Sequence, residues 1–432
     1  MSILLSHADI LTTVDGRFET LKDAYLGIEG NTIVYIGKQR PETPFQKEKM
    51  MQGKLLMPGL VNAHGHSAMT LLRGLGSDLN LQEWLFDTMM PIEDRMDRED
   101  IEAGRSLAML EMIASGTTMF SDMYMYPEDA VKLCGQAGLK GNFSRVMQCF
   151  DPKATYEENG RGPLNNSYFE AYNDSYDGRI KIDYMIHAEY TTFPEITRSY
   201  IADANKRNAL IHTHISETKK EHEECKEKYG KTPIEWFNDL GAFEHPAYAA
   251  HCVWVEDGDL EIMKEKNVTC VHNPSSNMKI GSGFAPIVKM LDMGINVALG
   301  TDGAASNNNL NMFEEMHLAS VIHNGYTLDP TVLPADTVLK MATVNGARAL
   351  GRPDTGSLEV GKKADIIALD MDKPHLIPNI DTVPLIVYSA QGADVCMTMV
   401  DGKILYEGGE FLTLDKKEIY AKVERSLRKL YQ

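Results

Sequence analysis

Two histidines separated by one residue occur twice in this chain, as His64 and His66 in VNAHGHS and as His212 and His214 in IHTHISE. Side chains alternate along a strand, so an H-x-H pair on an extended segment puts both imidazoles on one face, where their nitrogens can grip a single ion. In the second pair His214 lies nearer the end of its apolar run and is the expected ligand, whereas His212 reads as a hydrogen-bonded interior residue. Glu217 follows just beyond that run, and Asp302 opens the turn GTDGAASNNN after another. Each has an ordinary alternative: satisfied or solvent-facing histidines, a helix-start glutamate, a turn or capping aspartate. Taken together, three imidazoles and a carboxylate form the mixed nitrogen–oxygen set that zinc accepts while keeping a position open for water, and Fe2+ or another divalent ion also fits.

The elements that must position these groups follow from the rhythm of the sequence. Eight short apolar runs (LLMPGLVNAH, TTMFSDM, KGNFSRVM, KIDYMIHAEY, ALIHTHIS, AAHCVWV, NVTCVHNP and NVALGTD) are separated by helical stretches such as DIEAGRSLAMLEMIASG. Eight strand–helix units predict an α/β fold, a (β/α)8 barrel of the TIM type. The runs end in His64/His66, His187, His214, His251, His272 and Asp302, and the carboxyl ends of barrel strands are where catalytic groups sit. Both chain ends instead alternate short β-type runs with turn signals, which predicts a small flanking β-sandwich from residues 1–55 plus 360–432 beside a barrel of 56–359.

Composition narrows the partners. A formal charge of −19 disfavours nucleic acid and anionic membranes, leaving a small molecule as the expected ligand. No transmembrane-length apolar stretch and no signal-peptide pattern are evident, and six cysteines without framework spacing fit reduced thiols, so a cytoplasmic location is expected. A homodimer or homotetramer is compatible with an edge-exposing β unit.

The segments MPGLVNAHGHSAMTLLRG, HTHISET, AAHCVWV and LGTDGAASNNNLNMFEEM resemble the metal motifs of the amidohydrolase superfamily, over nearly the whole chain. Within it the sequence is most similar to the 5-methylthioadenosine/S-adenosylhomocysteine deaminases, neighbours of the chlorohydrolases and guanine deaminases. The resemblance implies hydrolytic loss of ammonia from the adenine ring of a purine nucleoside by a metal-activated water, with His64, His66, His214 and Asp302 as metal ligands. It implies one ion, because the fourth strand offers His187 where a second ion generally needs a carboxylated lysine. Asp302 then doubles as base, Glu217 as proton donor to the ring, and His251 as the group orienting the nucleophile. Glu93 is expected to take the ribose hydroxyls, with Trp84, Leu85 and Met89 along the thioether side. His187 should contact substrate, and Arg145 with the loop residue Arg161 should meet a carboxylate tail. His272 and Ser306 are candidates for supporting the site. Competing readings are a guanine, triazine or other N-heterocycle hydrolase of the same superfamily and, from another class, a non-catalytic scaffold.

Overall fold

The computed structural model describes residues 2–79 and 83–431. Asn80, Leu81 and Gln82, in the segment SDLNLQEWLFDTMMPIEDRM that reads as a lid over a hydrophobic ligand and carries Trp84, Leu85 and Met89, lie outside the described residues.

Two parallel arcs form the centre. Four strands, Leu60–Asn62, Thr117–Asp122, Lys140–Phe143 and Ile180–Ile182, pair in sequence order; five more, Tyr184–Ile186, Ile211–Ile215, Ala247–His251, Thr269–His272 and Val297–Leu299, do the same. Ile180–Ile182 and Tyr184–Ile186 are one chain path interrupted at Asp183, so the barrel has eight staves. The arcs are stitched at one seam by Ala63 N–H donating to Leu299 O at 2.9 Å and at the other by Met147 N–H donating to Met185 O at 2.8 Å. Every residue of Thr117–Asp122, Ile211–Ile215 and Ala247–His251 is buried, as continuous runs covered on both faces require.

One expected strand divides. In LLMPGLVNAH only Leu60–Asn62 joins the barrel; Lys54–Pro58 pairs with Ser2–Val14 and Ile366–Asp370 in a nine-stranded sheet built from both chain ends. The break falls at Pro58-Gly59, where a Cβ on Gly59 would lie 2.3 Å from the Thr118 side chain. That outer sheet has its own core, including Leu5, Ile10, Leu26, Leu56, Ile366 and Met399. The chain then returns to the barrel as a helix, Lys416–Tyr431, whose Lys429 Nζ sits 2.6 Å from Asp100 on the helix Arg98–Ala114. We propose a unit boundary at Pro58-Gly59, with the last helix belonging to the barrel's outer layer. Among the described residues no helix is long and apolar enough to cross a membrane.

Candidate active site

The strand ends bring the first histidines, the fifth-strand histidine and the eighth-strand carboxylate to one point. Donor atoms of His64, His66 and His214 lie within 4.8 Å of one another, as do those of His64, His251 and Asp302. Asp302 Oδ1 is 3.2 Å from His66 Nε2 and 3.4 Å from His64 Nε2, and His214 Nε2 is 3.3 Å from His66 Nε2. His64 and His66 stand beyond the last ladder residue, Asn62, and are held there by Met123 N–H donating to Gly65 O and by Asp302 N–H donating to His64 O. Gly300 permits this approach, because a Cβ there would lie 2.9 Å from both the N and the O of His64.

Each imidazole is locked from behind, which fixes the nitrogen it presents. His66 Nδ1–H donates to Met123 O and His214 Nδ1–H to His187 O, both at 2.7 Å. For His64 the lock is a relay: His212 Nδ1–H donates to Tyr248 O at 2.8 Å, so His212 Nε2 carries a lone pair and accepts from His64 Nδ1–H at 2.8 Å. A carbonyl cannot donate, so the chain of tautomers leaves His64 Nε2 bare, and that atom is buried with no hydrogen-bond partner. Three Nε2 atoms and one carboxylate oxygen converging on one point, with His64 Nε2 lacking any hydrogen-bond partner, fit a divalent ion. His212 thus acts through His64, as an interior residue with a directing role. His212→Phe keeps a ring against Tyr248, on which His212 stacks with centroids 4.0 Å apart. It cannot accept from His64, and the variant should release a bound divalent ion to a chelator about 10–100-fold faster, read by metal analysis against time.

Asp302 is held as firmly. Ser276 and Ser306 hydroxyls donate to its Oδ2 at 2.6 and 2.8 Å, leaving Oδ1 for the imidazoles. Burial opposes the charge on Asp302, but the contacts with His64 and His66 hold its carboxyl well below the usual range. Burial pushes His64 down to about 4, whereas the Asp302 hydrogen bond and charge overcome burial at His66 and raise it to about 9. Asp302 (φ 60°), His251 (φ 72°), Cys252 (φ 50°) and Ser216 (φ 48°) all occupy the left-handed region at strand ends, a cost each must recover from its surroundings.

Glu217 and His251 face the same point. Glu217 Oε2 is 3.8 Å from His251 Nε2, and His251 Nδ1–H donates to Asn277 Oδ1 at 2.8 Å. Burial pushes the Glu217 carboxyl up, against the pull of His251. The backbone N–H groups of Ser216, Glu217 and Thr218 all donate to the Glu221 carboxylate, which pins the turn that carries Glu217.

Farther out, the Tyr124 hydroxyl donates a short hydrogen bond to Glu93 Oε1, and Trp84 and Met89 are buried in an apolar cluster with Met69, Leu72 and Tyr124, Leu85 packing beside them. His187 offers a half-buried ring next to Thr191 Oγ1, and burial pushes it down to about 3. Arg145, two residues beyond the third strand, has Nε buried and unpartnered. Arg161 does not lie on an exposed loop: it is half-buried at the start of the helix Arg161–Tyr172 and donates from Nη1 to Val146 O at 3.1 Å. Burial and the neighbouring Arg145 pull Arg161 down to about 10. His272 points elsewhere, its Nε2 lying 3.1 Å from His323 Nε2. Sequence reading did not single out Ser276, Asn277, Tyr124 or Glu221; the polar run NPSSN after a barrel strand was the available signal for the first two.

The profile described as "Amidohydrolase family" matches residues 55–405, most of the chain. The chain belongs to the amidohydrolase family. It is accordingly a metal-dependent hydrolytic enzyme. Among its amidohydrolase relatives, a 5-methylthioadenosine/S-adenosylhomocysteine deaminase of Acetivibrio thermocellus is 43% identical over 100% of both chains. A 5′-deoxyadenosine deaminase of Methanosarcina acetivorans is 43% identical over 99% of this chain and 98% of its own. The crystal structure of an adenosine deaminase from Xanthomonas campestris with bound zinc superposes with a TM-score of 0.92 at 28% identity, covering 99% and 98% of the two chains.

Proposed function

We propose that this amidohydrolase deaminates the adenine ring of nucleosides altered at the 5′ position, 5-methylthioadenosine and S-adenosylhomocysteine foremost, giving the hypoxanthine form and ammonia. The observation that carries this reading is the Glu217 carboxyl, raised by burial, set against His251 beside the two overlapping donor groups His64/His66/His214 and His64/His251/Asp302. Hydrolytic deamination needs that pairing: a nucleophile, and an acid able to protonate the ring nitrogen and the departing amine. The names and full-length identity of the relatives support the substrate class.

The residues His64, His66, His214 and Asp302 would hold one ion, zinc in the first instance, and when bound it supplies a water nucleophile usable at pH ~7. Asp302, with Oδ2 fixed by Ser276 and Ser306, accepts the proton of the attacking water through Oδ1. Glu217 donates its proton to the ring nitrogen next to the carbon under attack, receives the proton held by Asp302 and passes it to the amine as the carbon–nitrogen bond breaks, and regains the proton of the new hydroxyl as the carbonyl forms. His251, its Nδ1 fixed on Asn277, turns Nε2 toward the attacking oxygen and stabilises the tetrahedral form.

Glu93, oriented by Tyr124, accepts the ribose hydroxyls, and His187, its ring 4.9 Å from that of His214, contacts the substrate. Arg145 and Arg161 are two neighbouring cations that a substrate carboxylate would satisfy. Arg145→Ala should lower kcat/KM for S-adenosylhomocysteine about tenfold or more while leaving 5-methylthioadenosine within a few-fold, since only the former carries the carboxylate. Equal losses for both would remove the carboxylate clamp.

The function itself is tested with a panel of adenosine, 5′-deoxyadenosine, 5-methylthioadenosine, S-adenosylhomocysteine, guanine and cytosine, monitored by ammonia release and ultraviolet change. Turnover of the adenine nucleosides alone is expected. Turnover of guanine instead would move the assignment to another branch of the family, and no ammonia from any of them would overturn it.

A further inference from the structure

A buried carboxylate that none of these steps uses lies behind Asp302. Glu315, on the helix Met312–Thr327, is fully buried, a position where an unpaired charge is costly. It instead accepts three hydrogen bonds. Ser275 donates to it from both N–H, at 3.2 Å, and a short hydroxyl hydrogen bond, and Asn307 Nδ2 donates at 2.7 Å. These partners belong to two different segments, the short helix Pro274–Lys279 after the seventh barrel strand and a loop after the eighth. Their immediate neighbours, Ser276 and Ser306, are the two residues whose hydroxyls donate to Asp302 Oδ2. Asn307 Nδ2 also donates to Thr301 O at 2.7 Å, gripping the residue before Asp302.

We propose that Glu315 is a positioning residue for the metal site: by tying residues 275 and 307 together it sets the two serine hydroxyls that aim Asp302 and hold it in its left-handed conformation. This rests on Asp302 being a metal ligand. Small errors in a ligand's orientation are felt as metal affinity, for which supporting hydrogen-bond partners typically count about 10–100-fold.

The test uses the purified holoenzyme and reads zinc release into excess chromophoric chelator, together with the visible spectrum of the cobalt-substituted protein. Glu315→Gln, which cannot accept from all three donors, should release zinc about tenfold faster or more and alter the cobalt spectrum. Ser276→Ala/Ser306→Ala should do the same, and adding Glu315→Gln to that pair should change little further, because the two act through one path. Ser275→Ala, a milder change, should speed release several-fold and covers the case in which Glu315→Gln does not fold. Release within twofold of the parent in Ser275→Ala and in any folded Glu315→Gln, or full additivity with the serine pair, would overturn the proposal. A parent protein that retains no stoichiometric zinc would instead overturn the ligand assignment beneath it.

Discussion

Asp302→Asn should reduce kcat by about three orders of magnitude or more and lower the zinc content of the purified protein, because one substitution removes both a charged ligand and the proton acceptor. The geometry makes the loss steep. Asp302 Oδ1 lies 3.2 and 3.4 Å from the Nε2 atoms of His66 and His64, and no other carboxylate belongs to the two clusters around them. Asparagine keeps the shape and one oxygen, so the barrel should fold normally and the thermal transition of the metal-free protein should move little. Its amide brings donors, however, and on one side or the other these would face the Ser276 and Ser306 hydroxyls or the imidazoles. Steady-state kinetics alongside metal analysis checks both parts. A variant with full zinc and at least a tenth of parental kcat would show that Asp302 is neither base nor essential ligand.

Glu217→Gln should cost about 10²–10⁴-fold in kcat with KM changed only a few-fold, because a glutamine can still hydrogen-bond the ring nitrogen but has no proton to give. Its effect on pH dependence has a definite sign. Burial raises the folded-state pKa of Glu217, so the protonated, acid form persists to higher pH than for an exposed glutamate. Activity that needs this form is present below the raised pKa and declines as pH rises through it. In the parent protein the basic limb of the kcat/KM profile should carry that decline, and in Glu217→Gln the residual rate should lack it. An unchanged basic limb in the variant would assign the limb to another group and leave Glu217 as a hydrogen-bonding residue only. The same raised pKa predisposes the folded protein to hold a proton there, so this site contributes stability at acid pH that is lost as the pH rises.

Much of the site was legible because barrel geometry puts its chemistry at places the sequence marks. Each apolar run ends where its strand ends, so His64/His66, His214, His251 and Asp302 could be picked out by position, and nearness to the end of the run separated His214 from the deeper His212 on the same face. The division of LLMPGLVNAH between two sheets was not legible, since both halves are apolar and buried and only tertiary packing distinguishes them. Arg161, expected in a loop, is a related case: ENGRGP reads as turn chemistry, but Gly160 in the left-handed region precedes the helix Arg161–Tyr172, where the half-buried guanidinium donates to Val146 O.

By itself, the sequence determined which residue types stand at the eight strand ends, and hence a mixed histidine–carboxylate site with an acidic partner. Those assignments depend on local properties, side-chain period and the termination of apolar runs. Tertiary structure alone decided which nitrogen each histidine presents and what holds each ligand in place. His212 meets His64 across 148 residues of chain, Ser276 meets Asp302 across 26, and Glu315 meets Ser275 across 40. Hydrogen bonds of that kind leave no periodic trace in a sequence, because they exist only after the barrel has closed and brought the strand ends together.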